Sequence, residues 1–363
     1  MSIRHVMILL AVTGLTACGG GGGTASPVAP SVVAPTATPA PAASNAPTTV
    51  NSSPLSLAPP VAPAATPVAM TGDLNASAIL AKATFGARHP IALRSDDPVS
   101  SNSSKRRAPR TVIYPDDLPY NGGTVISSAQ IHPVYIQTFW DGCTTACWGN
   151  PAIGITDLAA SNFMHMVDPY VGYYQSNRYT LGSGALWNLA PFPSGGNPVV
   201  GEGDILLLLY YTSYYFGTGY NHIYHVFLPP NIDTCWDRTA TCYSPDNHST
   251  FSFCGYHSSA NFGSGPVIYS VLGYADVPGC RMINGPNASG GHDVVDSTMD
   301  IMSHETFEMI TDPEFRHGWY SAYQDKEIGD LCRFLTLSTT LNGTPYLFQS
   351  EYSNGYHGCT NTP

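Results

Sequence analysis

The stretch from Asp296 to Asp312 reads DSTMDIMSHETFEMITD and is closed by Pro313. Within it, His304-Glu305-x-x-Glu308 has the layout of the zinc-hydrolase helix. In that layout two ligands one turn apart grip a metal, and the glutamate after the first ligand polarises water. Glu308 stands where such helices often carry a second histidine. A carboxylate is chemically allowed there, because glutamate oxygen binds zinc at a similar distance. It also donates more negative charge and so weakens the metal as a Lewis acid. The chemistry expected of these residues is metal-assisted hydrolysis, with His304 and Glu308 as ligands and Glu305 as general base.

Two other segments carry related residue types. Downstream, Trp319-Tyr320 is followed by Lys326-Glu327-Ile328-Gly329-Asp330-Leu331-Cys332, an acidic pair just before a cysteine. Upstream, Phe253-Cys254-Gly255-Tyr256-His257-Ser258 holds a histidine beside another cysteine. In these residues the chain resembles the EXORDIUM, or phosphate-induced protein, family. The shared order is a C-x-Y/F-H segment, a helix with S/A-H-E-x-x-E-x-x-T-D/N-P, a tryptophan, E-I-x-D-L-C and a cysteine near the C-terminus. The resemblance runs from about Asn121 to Cys359 and is strongest from His222 onward. By position, His304, Glu305 and Glu308 fall on the family's helix motif, Glu327 and Asp330 on its acidic pair and His257 on its upstream histidine. Asp300 falls on none of them.

Plant members of that family are apoplastic proteins linked to growth and sugar-responsive signalling, while its microbial members look like metallopeptidases. The resemblance therefore speaks to fold more than to reaction. Read as a zinc peptidase, the chain would hold the metal with His304, Glu308 and a third ligand from Glu327 or Asp330. Glu305 would take the water proton, and His257 would donate a hydrogen bond to the tetrahedral intermediate. A reading of a different class is a non-catalytic surface module that binds wall glycan or a partner protein, with the acidic helix as a structural site. The abundant Tyr and Trp suit sugar stacking, and equally suit a core. No Ser-His-Asp order, G-x-S-x-G elbow or phosphate-binding glycine loop occurs.

These residues need rigid elements to hold them. At 100° per residue, Val295, Met299, Met302, Thr306 and Ile310 form one stripe of the predicted helix, and Asp300, His304 and Glu308 lie nearly opposite. One face is expected to pack and the other to present an imidazole between carboxylates. Val134 to Trp140 reads as a strand after the Asn121-Gly122-Gly123 turn. Thr156 to Val167 and Asp204 to Phe216 read as helices, and Ile223 to Leu228 and Val267 to Tyr274 as strands. The order of elements predicts an α+β domain: a mixed sheet with packed helices, a zincin-like active-site helix and disulfide bonds.

The remaining features concern compartment. Residues 1–17 carry Arg4, an apolar stretch from Val6 to Leu15 and small residues up to Ala17, the pattern of a signal peptide. Leu15-Thr16-Ala17-Cys18 resembles a bacterial lipobox, which implies a lipid on Cys18. Residues 18–70 are Gly, Ala, Pro, Ser, Thr and Val almost without charge, too poor in apolar surface to offset ordering entropy, and read as a tether. Residues 71–110 read as a polar pre-domain segment. It ends in the basic cluster Lys105-Arg106-Arg107 and Arg110, a solvated loop or a protease-sensitive boundary that could release the domain behind it. Residues 111–363 read as the globular domain.

Of the nine cysteines, setting Cys18 aside leaves Cys143, Cys147, Cys235, Cys242, Cys254, Cys280, Cys332 and Cys359, an even set that reads as disulfides in an exported chain. Local closure favours Cys143 with Cys147 and Cys235 with Cys242, and Cys332 is expected to pair with Cys359. The absence of any C-x-x-C argues against thiolate zinc. A formal net charge of -11 argues against nucleic acid. Asp204 to Phe216 is apolar but, at about 13 residues, short of the roughly 20 a membrane span needs. Membrane contact through lipid alone, a place in the cell envelope and a peptide or cell-surface substrate are the expectations that follow.

Overall fold

The structure is a computed structural model that describes residues 76–94, 117–138, 143–172, 178–189, 199–236 and 241–363. The expected signal peptide, Cys18, the tether and the basic cluster at 105–110 lie outside the described residues. Along the chain come α1 (Ala76–Leu80), β1 (Thr84–Phe85), β2 (His89–Ala92), β3 (Ala129–Thr138), α2 (Pro151–Ala159), α3 (Asp168–Val171), β4 (Tyr179–Leu181) and β5 (Ala185–Leu189). Then follow β6 (Val199–Gly201), α4 (Glu202–Phe216), β7 (His222–Phe227), β8 (Asp233–Cys235), β9 (Cys242–Tyr243), β10 (Phe253–Asn261) and β11 (Pro266–Leu272). The last elements are α5 (Val294–Thr311), β12 (Thr336–Leu341), β13 (Thr344–Gln349), β14 (Glu351–Ser353) and β15 (Gly358–Thr360).

The main sheet has the order β1-β10-β11-β7-β3-β4, with β2 also on β10 and β5 also on β3. It is mixed: β7, β3, β4 and β5 are joined by parallel pairing, β11 runs parallel to β7, and β10 runs antiparallel to β11, β1 and β2. Parallel strands are usually covered on both faces and read as apolar runs, and Ile131, Val134, Ile136, Ile223, Val226, Ile268 and Val271 are all buried here. The fold is α+β, a mixed sheet with helices packed on it. The described cysteines form Cys143–Cys147, Cys235–Cys242, Cys254–Cys280 and Cys332–Cys359, including every expected pairing.

Helix α5 lies against β10 and β11 on one side and against β13 and α2 on others. Its start is capped by Asp293, whose carboxylate accepts from Asp296 N. Contact with the sheet is close: a Cβ on Gly255 of β10 would sit 2.8 Å from Ile301 Cγ2. The expected division into a packed face and an open face does not occur. Every residue from Asp296 to Thr311 is buried, because β13 and the 327–332 segment cover the face that carries His304 and Glu308.

Two other expectations change. Thr156 to Val167 is not one helix. Pro151 at the first turn starts α2 earlier, Ser161 Oγ turns back to donate to the Leu158 carbonyl, and residues 162–167 follow as a 3-10 turn. The segment read as lying ahead of the folded part supplies α1, β1 and β2, and the two strands pair with β10 inside the main sheet. The expected helix at Asp204 to Phe216 and the strands at Ile223 and Val267 are present as α4, β7 and β11. No helix among the described residues is long and apolar enough to cross a membrane.

Candidate metal centre

A row of polar side chains crosses four strands beneath α5. The pairing register sets His89 of β2 opposite His257 of β10, His257 opposite Ser270 of β11, and Ser270 beside His225 of β7. Partners in register point to the same face. At the β7 end the row is closed: His225 Nδ1 lies 2.6 Å from Ser270 Oγ, and its Nε2 lies 3.0 Å from Thr306 Oγ1, which itself donates to the Met302 carbonyl. Burial lowers the His225 pKa to about 3, so this imidazole is neutral and satisfied.

At the other end the row meets the acids of α5. His257 Nδ1 is 3.0 Å from Glu305 Oε2 and 3.4 Å from Glu308 Oε2, and His257 Nε2 is 3.6 Å from Glu327 Oε1. His304 Nε2 is 2.9 Å from Glu308 Oε1. His89 Nδ1 is 2.9 Å from Glu327 Oε2 and 3.1 Å from Asp330 Oδ2, and its ring stacks on Phe315 with centroids 4.5 Å apart. His257, Glu305, Glu308 and Glu327 are wholly enclosed; the His89 side chain retains 13% exposure.

The local sequence accounts for this convergence. Pro313 ends α5, and Asp312 accepts the backbone N–H groups of Arg316, His317 and Gly318, which fastens the turn behind the helix. A Cβ on Gly318 would lie 2.2 Å from the Thr311 carbonyl oxygen, so the turn needs glycine there. The returning chain brings Glu327 and Asp330 over the helix, and Cys332–Cys359 ties it to β15. Gly329 is required for space: its Cβ would fall 2.5 Å from His304 Nδ1. Gln349 of β13 completes the seat, its Nε2 donating to the Gly329 carbonyl at 2.6 Å and lying 3.0 Å from His304 Nδ1.

Many of these polar atoms have no hydrogen-bond partner among the described residues. They are His89 Nδ1, His257 Nε2, His304 Nε2, Glu305 Oε1, and both carboxylate oxygens of Glu308, Glu327 and Glu351. Leaving such groups buried and unpaired costs on the order of 1 to 3 kcal/mol each, and more when charged. Carboxylates and imidazoles that face one another without bonding geometry are the arrangement a cation stabilises. Two sets have ligand atoms that all lie within 4.8 Å of one another: His89, Glu308 and Asp330, and His257, Glu308 and Glu327.

Electrostatics point the same way. Burial raises Glu327 and Glu351 well above the usual carboxylate range, and burial reinforced by Glu308 raises Asp330 to about 7. Burial also raises Glu305, against the pull of His257. Burial alone would lower His257 and His304. The carboxylates of Glu327, Glu305 and Glu308 raise His257 well above its ordinary value, and Glu308 raises His304 to about 10. Burial lowers His89 to about 4. Without a cation these groups would have to share protons that a bound cation would displace.

All the sequence-predicted site residues, His257, His304, Glu305, Glu308, Glu327 and Asp330, meet in this cluster. Asp300 does not join them: it pairs with Arg94 Nη2 at 2.5 Å and accepts from Gln349 N. His89, Gln349 and Glu351 were not singled out from sequence. The signal for His89 was weak but present, in the short apolar alternation of His89-Pro90-Ile91-Ala92-Leu93, where proline marks an edge strand. Comparison of the chain with family models, with curated proteins and with solved structures returns no match. The geometry of the cluster therefore carries the functional argument.

Proposed function

We propose that this protein is a zinc-dependent hydrolase of the cell envelope, with a peptide bond as its substrate. The observation that carries this reading is the set of unpartnered, fully buried nitrogen and oxygen atoms that converge from β2, β10, α5 and the 327–330 segment. His304, Glu308 and a carboxylate from Glu327 or Asp330 would hold the ion, with His257 and His89 within the same enclosure. When bound, zinc supplies Lewis acidity toward a carbonyl and lowers the pKa of a water.

The protein's own groups supply the remainder. Glu305 keeps Oε2 on His257 Nδ1 and leaves Oε1 without a partner, and burial raises its pKa toward the range a general base needs. His257 Nδ1 steadies that carboxylate, and with a single ion its Nε2 would donate to developing negative charge. A groove of about 210 Å³ lies beside the cluster between Phe85, Ser259, Asn261 and Phe315, and Phe315 separates it from His89. The motif likeness to the EXORDIUM family and the lipobox-like Cys18 support the envelope setting.

The purified full-length protein, loaded with zinc and assayed on a peptide library, tests this reading. Glu305→Gln is expected to retain zinc and lose turnover by about 10²-fold or more, since it removes a base and no ligand. His304→Ala is expected to weaken both. Hydrolysis that survives Glu305→Gln unchanged would refute the catalytic assignment.

The near-complete enclosure of the cluster favours a second reading, a non-catalytic surface module with a structural metal. Stoichiometric zinc without hydrolysis in any variant would select it.

A further inference from the structure

We propose that the cluster is built for a pair of divalent first-row transition-metal ions, bridged by the carboxylates of Glu308 and Glu327. His89, His304 and Asp330 would be terminal ligands on one ion and His257 on the other. This rests on the metal-site reading above and extends it in number and in ligands.

The argument begins with the two glutamates. Each has both oxygens enclosed and outside good hydrogen-bonding geometry, and the two oxygens of each face different imidazoles. Glu308 turns Oε2 toward His257 at 3.4 Å and Oε1 toward His304 at 2.9 Å. Glu327 turns Oε1 toward His257 at 3.6 Å and Oε2 toward His89 at 2.9 Å. A ligand serving one ion would leave its second oxygen against an imidazole that satisfies it only while that imidazole keeps a proton there. Carboxylates that present one oxygen to each of two centres are the bridging element of two-metal sites, whose ions sit about 3.5 to 4 Å apart.

The two close-set triads, His89–Glu308–Asp330 and His257–Glu308–Glu327, share only Glu308. His89 and His257 sit opposite each other on neighbouring strands, with ring centroids 6.5 Å apart and planes at 70°. That places one imidazole on each side of the shared carboxylate and allows neither to occupy the other's position. His257 Nδ1 contacts Glu305 Oε2 at 3.0 Å, so an Nδ1–H donated there leaves Nε2 free to act as ligand.

Charge is compatible with two ions. Glu305, Glu308, Glu327, Asp330 and Glu351 are all buried in this region, whereas Asp300 already has Arg94. Two divalent ions can replace more of the protons that these carboxylates and imidazoles otherwise hold than one ion can. The mixture of carboxylate oxygen and imidazole nitrogen suits manganese, iron, cobalt or zinc over calcium.

Metal counting on the intact chain decides the matter. The protein is stripped with a chelator, equilibrated separately with Zn²⁺ alone and Mn²⁺ alone, freed of excess ion and analysed for bound metal per chain. Two ions per chain are expected, and the Mn²⁺ form should give the exchange-coupled paramagnetic resonance spectrum of neighbouring ions. His89→Ala and Asp330→Asn should each reduce the count from two to one and restore the spectrum of an isolated ion. Glu308→Gln should lose both. Circular dichroism and intact disulfides identify variants that remain folded, and the wild-type count does not depend on any variant. One ion per chain at saturation, or His89→Ala and Asp330→Asn both retaining two, overturns the pair and leaves a single-metal hydrolase standing. No bound ion overturns the hydrolase reading as well.

Discussion

Gly329 and Gln349 set the position of the His304 ring. Any side chain at Gly329 intrudes on the imidazole, whose Nδ1 would be 2.5 Å from an added Cβ. Gln349 braces the same nitrogen and the carbonyl above it. Gly329→Ala is therefore expected to displace His304 and Gln349→Leu to leave it unbraced. Each should weaken zinc binding by about 10- to 100-fold, the usual cost of losing an outer partner of a ligand, as read by competition with a chromophoric chelator. Wild-type affinity in both variants would remove His304 from the centre. These side chains illustrate what could be read in advance. His304, Glu305 and Glu308 are legible because their chemistry is written at helical spacing within a few residues. Gln349 and Glu351 are ordinary polar residues in a strand segment, and only the tertiary fold brings them to the helix.

Helix α5 acts as a wedge between the main sheet and the β12–β13 hairpin, and its position rests on close packing at Gly255 and on the Cys332–Cys359 bond. Gly255→Ala would force β10 and α5 apart at Ile301. It is expected to destabilise the protein by about 1 to 3 kcal/mol, the range for overpacking a tight core, measured by chemical denaturation. Replacing Cys332 and Cys359 together with serine should cost about 2 to 4 kcal/mol and also lower metal affinity, because the bond tethers the strand of chain carrying Glu327 and Asp330. An unchanged affinity would mean that the acidic segment is held by other contacts. The ends of α5 were readable from Pro313 and from the apolar stripe, and Cys143–Cys147 and Cys235–Cys242 from local closure, whereas spacing alone did not select Cys254–Cys280. Its surroundings were not, since amphipathic periodicity says which face is polar and not what later covers it. The break in the 156–167 helix was hidden for a related reason: Ala159, Ala160 and Ser161 carry no strong stop signal, and tertiary packing selects the turn.

At the scale of the molecule, β1 and β2 make the chain ahead of Thr111 part of the main sheet. A protein beginning at Thr111 lacks His89 and one flank of β10, and is expected to lose metal binding and become aggregation-prone. One beginning at Ala76 should match the full chain in both, as judged by bound zinc and light scattering. Acid should also destabilise the fold from a second region. His132 is enclosed by Phe216, Tyr224 and His222, and burial, with the like-charged His222 adding to it, lowers its pKa to about 4 from the 6.5 of an unfolded chain. A folded-state pKa below the unfolded value means that the neutral ring's contribution is complete above pH 6.5 and is lost as pH falls toward 4. The loss should be on the order of 3 kcal/mol, and His132→Asn should flatten that part of the stability profile. The pairing of β2 with β10 also bears on the basic cluster at 105–110, which could invite a protease. A cut there would not liberate the globular body. The upstream fragment would stay hydrogen-bonded along β10 and ion-paired through Arg88 to Glu202 and Arg94 to Asp300. The product would be a nicked two-chain protein that migrates as a single species until denatured, and it would remain wherever its first chain is fixed.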